Sequence, residues 1–307
     1  MMSRANRLST PLLSALAVFA LSAGMASAAD VKPAAAPAQA AMPPAPPPPP
    51  AAAAPAAEPA PKKAVPAKRA ARPKAASMPH WSYHGADGPD NWGKLHASSG
   101  LCDSGKQQSP IDIRGSIGVD LPELRFNYAP SRFSVTNNGH TLEVSYPAGG
   151  SLTFASKTYQ LVQFHFHRPA EEKIEGKSFE MVAHLVHRDA QGALAVVAVL
   201  MTVGAENPFI QALWNHIPLV AGQAMASAAD MAIDLNRFLP KERQLYNYMG
   251  SLTTPPCSEG VQWFVFQEPV EVSPEQLRTF ARLFPNNARP IQPTHDRLIK
   301  ESRGRVR

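Results

Sequence analysis

Between residues 30 and 77 the chain carries 14 prolines and 20 alanines in 48 positions, and this stretch limits the fold more than any other feature. Proline fixes the backbone φ angle and removes a donor, and alanine offers little area to bury, so the stretch cannot build a core. It is expected to be a disordered, Pro/Ala/Lys-rich linker over residues 29–77, rising about 3 Å per residue where extended. What remains to fold is residues 78–307, 230 positions, long enough for one sizeable core.

Charge divides at the same boundary. Residues 1–77 hold nine of the 30 basic residues and two of the 24 acids. That leaves 21 basic and 22 acidic residues beyond, a net of −1 against +6 for the whole chain. The basic excess therefore belongs to the N-terminal part, which excludes a basic nucleic-acid-binding domain as its meaning. Its end, Lys62 to Lys74, suits weak contact with acidic cell-envelope polymers or lipid head groups, and equally suits a plain solvated linker.

Residues 1–28 read as an export signal: Arg4 and Arg7, a short apolar run from Leu12 to Leu21, then Ala26-Ser27-Ala28 as a cleavage site. The run is shorter than the ~20 residues of a membrane span, although an uncleaved anchor is the alternative. A periplasmic or secreted location is expected. In such a compartment the two cysteines, Cys102 and Cys257, are expected to form a disulfide rather than two buried thiols.

Strand signals dominate residues 78–307. Phe133–Asn137, Thr141–Tyr146, Ser151–Ala155, Tyr159–His167, Phe179–His187, Leu194–Thr202 and Val261–Phe266 are rich in Val, Phe, Thr and Tyr and bounded by turn residues. One helix should start at Ser273, with Pro274 at its first position and Gln276 completing a capping box. A second should cover Pro208 to about Ile217. The expectation is a mainly β (α+β) single domain with peripheral short helices.

The chemistry gathers at Gln163-Phe164-His165-Phe166-His167. Side chains alternate along a strand, so Gln163, His165 and His167 face one way and the phenylalanines the other. Two imidazoles so spaced can hold one metal ion. A third ligand should come from a neighbouring strand, where His184 and His187 are the candidates. Being three apart they lie on opposite faces, so at most one can join. Three neutral imidazoles and one open position form the arrangement by which zinc acidifies water.

Gln163-Phe-His-Phe-His167, Ala183-His-Leu-Val-His187 and Ser251-Leu-Thr-Thr-Pro-Pro256 together resemble the α-class carbonic anhydrases, in their secreted bacterial form. Asn137-Asn-Gly-His140, Gln108-Ser-Pro-Ile-Asp112 and Arg289-Pro-Ile-Gln-Pro293 agree in order and spacing. The resemblance spans about Trp81 to the C-terminus. It implies a central, twisted, mostly antiparallel sheet with Zn2+ at the floor of a cleft, held by His165, His167 and His184. His187 becomes a structural residue, and Gln163 fixes the tautomer of His165. The implied reaction is reversible hydration of carbon dioxide to bicarbonate by zinc-bound hydroxide. Thr253 would hydrogen-bond that hydroxide and pass its own proton to Glu171, and Thr254 would line the polar side. The pocket for carbon dioxide would be Val186, Val196, Leu252 and Trp263. His140 would shuttle the proton out, with Tyr83 and Asn138 ordering the intervening water. The implied partners are carbon dioxide, bicarbonate and water, with no nucleic acid, and a homodimer is compatible.

Two departures carry expectations of their own. The residue two before the third ligand is usually a glutamate that binds the ligand's outer nitrogen, but here it is Val182. Either a carbonyl or water takes over, or His184 is held less firmly and Val182→Glu should slow zinc loss. Glu143 stands where a neutral amide is usual, and a carboxylate close to His140 should raise its pKa. The competing function is a zinc-poor binding or adhesion module displayed on the linker, against which all three histidines stand. Ester hydrolysis would be a side activity of the same site.

Overall fold

Alternation of apolar and site-facing residues builds the centre of the molecule, seen here in a computed structural model that describes residues 80–303. The expected signal peptide, residues 1–28, and the linker, residues 29–77, lie outside the described residues. In the strand Met181–Arg188, Met181, Ala183 and Leu185 enter one apolar layer, while Val182 and Val186 enter another with His184 on their face. Its antiparallel neighbour Leu194–Val203 matches it residue for residue: Ala198 opposes His184 and Val196 opposes Val186. Both faces of these strands are covered, so they read as nearly continuous apolar runs.

Among the described residues thirteen strands join in one sheet, most neighbours antiparallel. Its middle runs Leu142–Ser145, Lys157–His167, Met181–Arg188, Leu194–Val203, Glu259–Phe266 and Leu245–Ser251. Parallel pairing enters where Leu194–Val203 meets Glu259–Phe266 and Val270–Val272, and where Lys300–Ser302 meets Ile117–Val119. The larger core lies between one face and two helices, Pro208–Trp214 and Pro274–Leu283, which contribute Phe209, Leu213, Trp214, Leu277 and Phe280. Each such side chain contributes about 1.5–3 kcal/mol on burial. The smaller cluster, with Ile111, Ile113, Val182, Val196, Leu200 and Trp263, lies on the face that carries His184.

All seven expected strands form, with ends shifted by one or two residues. Phe179 falls outside its strand because its carbonyl accepts a hydrogen bond from Ala170 N instead. The helix from Pro274 carries the full capping box between Ser273 and Gln276. The helix from Pro208 is capped by Asn207 and stops at Trp214, three residues early, where His216 N turns back to Leu213 O ahead of Pro218. The strand Leu245–Ser251 was not foreseen. It leads directly into Thr253, and Gly250 within it is required: a Cβ there would meet Ser109 Oγ at 2.2 Å.

Cys102 and Cys257 are joined, with S–S 2.06 Å. Trp92 packs on the bridge, and the buried Arg289 guanidinium donates to Cys102 O, Ser109 O and Gln108 Oε1. Motifs at residues 108–112, 257 and 289 thus meet in one knot beside the cleft.

Candidate metal centre

His165 and His184 stand directly opposite each other on adjacent strands, and His167 follows two residues on along the first. One nitrogen from each of the three lies within 4.8 Å of the others. The remaining nitrogens are each held by a group that can only accept or is presented as an acceptor. His165 Nδ1 donates to Gln163 Oε1 at 2.9 Å, His167 Nδ1 to the Asn287 carbonyl at 2.8 Å, and His184 Nε2 to Glu172 Oε1 at 2.9 Å. These bonds leave His165 Nε2, His167 Nε2 and His184 Nδ1 as the free lone pairs, and a fully buried His167 Nε2 has no partner. Converging neutral imidazole lone pairs fit zinc. His187 lies on the opposite face, with Nε2 2.7 Å from the Tyr128 hydroxyl.

Electrostatics separate the three. Burial, reinforced by His184, pushes His165 down to about 3. His167 falls well below the usual histidine range, chiefly by burial and then by the other two imidazoles. Burial acts the same way on His184, but Glu172 and Glu171 outweigh it and raise its pKa. Glu172 is the residue that sequence reasoning missed. A carboxylate ten residues before Val182 takes the outer nitrogen of His184. Strand parity cannot see a loop residue, and the one available signal was the pair of adjacent acids, Glu171-Glu172, just after His167.

Glu171 is buried, accepts from Arg289 N at 2.8 Å, and lies 3.5 Å from His167 Nδ1. Burial raises its pKa to about 7, with Glu172 adding to the rise; His184, Arg289 N and the Thr253 hydroxyl oppose it. Its Oε2 has no partner of regular geometry, although the Thr253 hydroxyl is near enough to favour the charged form. Thr253 is buried and Thr254 half-buried.

Val196, Trp263, Val186 and Leu252 belong to one apolar cluster, the first two fully buried and the others partly open. The Trp263 ring stands edge-on to His184, centroids 4.9 Å apart. A dry wall therefore adjoins the histidines.

His140 is half-buried and stacks on Trp81, centroids 3.8 Å apart and 8° from parallel. Tyr83 packs against the same Trp81, and His80 lies 6.3 Å away. Asn138 Oδ1 accepts from His140 N and Thr141 N, so its oxygen shapes the turn that carries His140. The Asn287 amide donates both to His140 O and to Phe166 O, joining that turn to the ligand strand; Asn287 too was missed. Glu143 is not among the groups that move the His140 pKa. Burial first and His80 second lower the His140 pKa, while Glu143, directly opposite His165, is itself raised by burial.

A model of the eukaryotic-type carbonic anhydrase family matches residues 87–303. Over 235 residues the chain is 41% identical to a carbonic anhydrase of Nostoc sp., covering 75% of this chain and 89% of the relative. It is 42% identical over 224 residues to a carbonic anhydrase of Neisseria gonorrhoeae, covering 72% and 88%. The structure of the α-carbonic anhydrase from Thermovibrio ammonificans with the inhibitor sulfanilamide matches with a TM-score of 0.69 at 42% identity, over 73% of this chain and 99% of that one.

Proposed function

The chain belongs to the eukaryotic-type (α-class) carbonic anhydrase family, and from that premise we propose that it is an exported zinc enzyme that hydrates carbon dioxide reversibly to bicarbonate and a proton. The observation that carries this reading is the set of three imidazoles whose outer nitrogens are all engaged and whose lone pairs converge. Zinc, when bound by His165, His167 and His184, supplies the Lewis acidity that brings water to a pKa of about 7, a magnitude established for carbonic anhydrases themselves.

The rest is work for the chain's own residues. Thr253 accepts the nucleophile's proton contact and gives its own to Glu171, whose orientation is held by Arg289 N. This chain of donors aims a lone pair at the substrate carbon. Val186, Val196, Leu252 and Trp263 hold carbon dioxide, which is small and uncharged and so needs an apolar wall rather than directed hydrogen bonds. Thr254 faces the wet side. His140 takes the released proton toward buffer, aided by water ordered near Tyr83 and Asn138. Its lowered pKa leaves the ring neutral, and able to accept, at pH 7. The disulfide supports export, since such bridges persist mainly in oxidising compartments. Residues 1–28 as signal and 29–77 as linker complete the reading.

The test is zinc content and carbon dioxide hydration on the purified protein. About one zinc per chain and sulfanilamide-sensitive hydration are expected. A zinc-loaded protein that hydrates no carbon dioxide would overturn the proposal in favour of a binding module.

A further inference from the structure

We propose that Glu172, from a loop, is the positioning residue of the third ligand, His184, and that positions 172 and 182 are alternatives for this duty, of which the fold accepts one carboxylate. The inference rests on the zinc site proposed above.

Glu172 and His184 are both sealed from solvent, and Glu172 Oε1 lies 2.9 Å from His184 Nε2. A carboxylate can only accept, so it fixes the tautomer that leaves His184 Nδ1 free. No other acceptor competes for that proton. Glu171 is turned to Arg289 N and Thr253, and Val182 is apolar. The loop carboxylate is also firmly held. Lys173–Ile174 pairs in parallel with Asp112–Ile113, Lys173 N reaches Ile111 O at 3.3 Å and Glu175 N reaches Ile113 O at 3.0 Å. Residue 172 thus sits between an anchored glutamate and an anchored strand.

Val182 explains why the duty is not shared between the two positions. It is fully buried on the His184 face, among Ile111, Ile113, Ala198 and Leu200, with His167 opposite it on one side and Leu200 on the other. A glutamate there would bury a third carboxylate beside Glu171 and Glu172, among apolar side chains sealed from solvent. An unpaired charge in such surroundings is strongly disfavoured. Placing a carboxylate at position 182 beside Glu172 should therefore harm rather than help.

The experiment follows zinc loss from the full-length, zinc-loaded chain to excess chelator, read with a metallochromic dye. E172A should lose zinc 10–100-fold faster than the wild type. E172Q, which keeps the shape and one acceptor but no charge, should fall between them. V182E alone should lose zinc faster than wild type, and V182E/E172A should return toward the wild-type rate. Cobalt-substituted proteins supply a second readout: the visible ligand-field spectrum should change in E172A and recover in V182E/E172A. Wild-type loss rates in E172A would overturn the proposal, as would loss from V182E/E172A as fast as from E172A. Should E172A not fold, E172Q decides, and an unchanged rate there overturns it. A wild-type chain that takes up no zinc would instead refute the proposed function.

Discussion

His140, His184 and His187 are imidazoles of one sheet and its rim, yet their surroundings move their protons in different directions. His187 is fully buried against the Tyr128 hydroxyl, and burial drives it down to about 4, with backbone groups of Leu185 and Ala195 opposing the fall. A histidine whose folded pKa lies below its unfolded value of about 6.5 costs stability as pH falls through that window. The expected loss between pH 6.5 and 4 is on the order of 3 kcal/mol from this residue. Glu171, raised to about 7, acts oppositely, since a carboxyl whose folded pKa lies above its unfolded value loses stability as pH rises from 4.5 to 7. Urea denaturation of His187→Gln against wild type, at pH 7 and pH 4.5, isolates the histidine: the variant should lose less on acidification. Equal losses would place the effect elsewhere.

His140 makes a kinetic prediction. Attack on carbon dioxide and export of the proton use different residues, so His140→Ala should lower maximal turnover in dilute buffer and leave the second-order rate for carbon dioxide nearly unchanged. Concentrated imidazole buffer should restore much of the turnover. His80→Ala removes a like charge from beside the ring, so the His140 resonance should titrate at higher pH than in wild type. Stopped-flow hydration and a proton NMR titration check the two halves. Equal loss in both kinetic parameters would exclude His140 as the shuttle.

At the scale of elements, local signals act where the chain pairs with itself nearby. The helix Pro274–Leu283 is announced by Ser273, Pro274 and Gln276, and the cap forms as its residues demand. Gln276 does more, since its amide donates to Asn207 O and its Oε1 accepts from Asn207 N, at the start of the other helix. Ser273→Ala should cost about 1 kcal/mol. That is a fall of roughly 2–4 °C in Tm for a domain of this size. A drop well beyond this in a thermal melt would mean that both helices loosen together. The histidine strand was legible for a similar reason: period two puts His165 and His167 on one face whatever the rest of the fold does. Leu245–Ser251 was not, because its mixed Tyr-Asn-Tyr-Met run has no clean alternation and forms by pairing with Glu259–Phe266.

Across the whole molecule, the bridge between Cys102 and Cys257 closes a span of 155 residues that contains every proposed ligand. In the chain-entropy picture such a closure is worth about 5 kcal/mol against the unfolded state. Replacing both cysteines by serine should cost 2–5 kcal/mol, measured by guanidinium denaturation. It should also reach the centre, because Arg289 joins the two: its guanidinium holds Cys102 O and its backbone N holds Glu171. A variant as stable as wild type would show that Arg289 and Trp92 close this end without the bridge.

Strand periodicity, the histidine pair, the helix caps and the uneven charge are properties of short stretches of chain, and they are legible in the sequence itself. So are the motifs in register, which carry the family. What only the tertiary structure decided is which groups hold the outer nitrogens and in which direction the His140 pKa moves. Asn287 lies 120 residues from His167, and Glu172 is 12 from His184 but on a loop outside its strand. Such partners are chosen by chain closure, which no local period encodes. The His140 pKa followed burial and His80 rather than the nearer acid in sequence, because desolvation depends on everything packed around a ring and not on its neighbours along the chain.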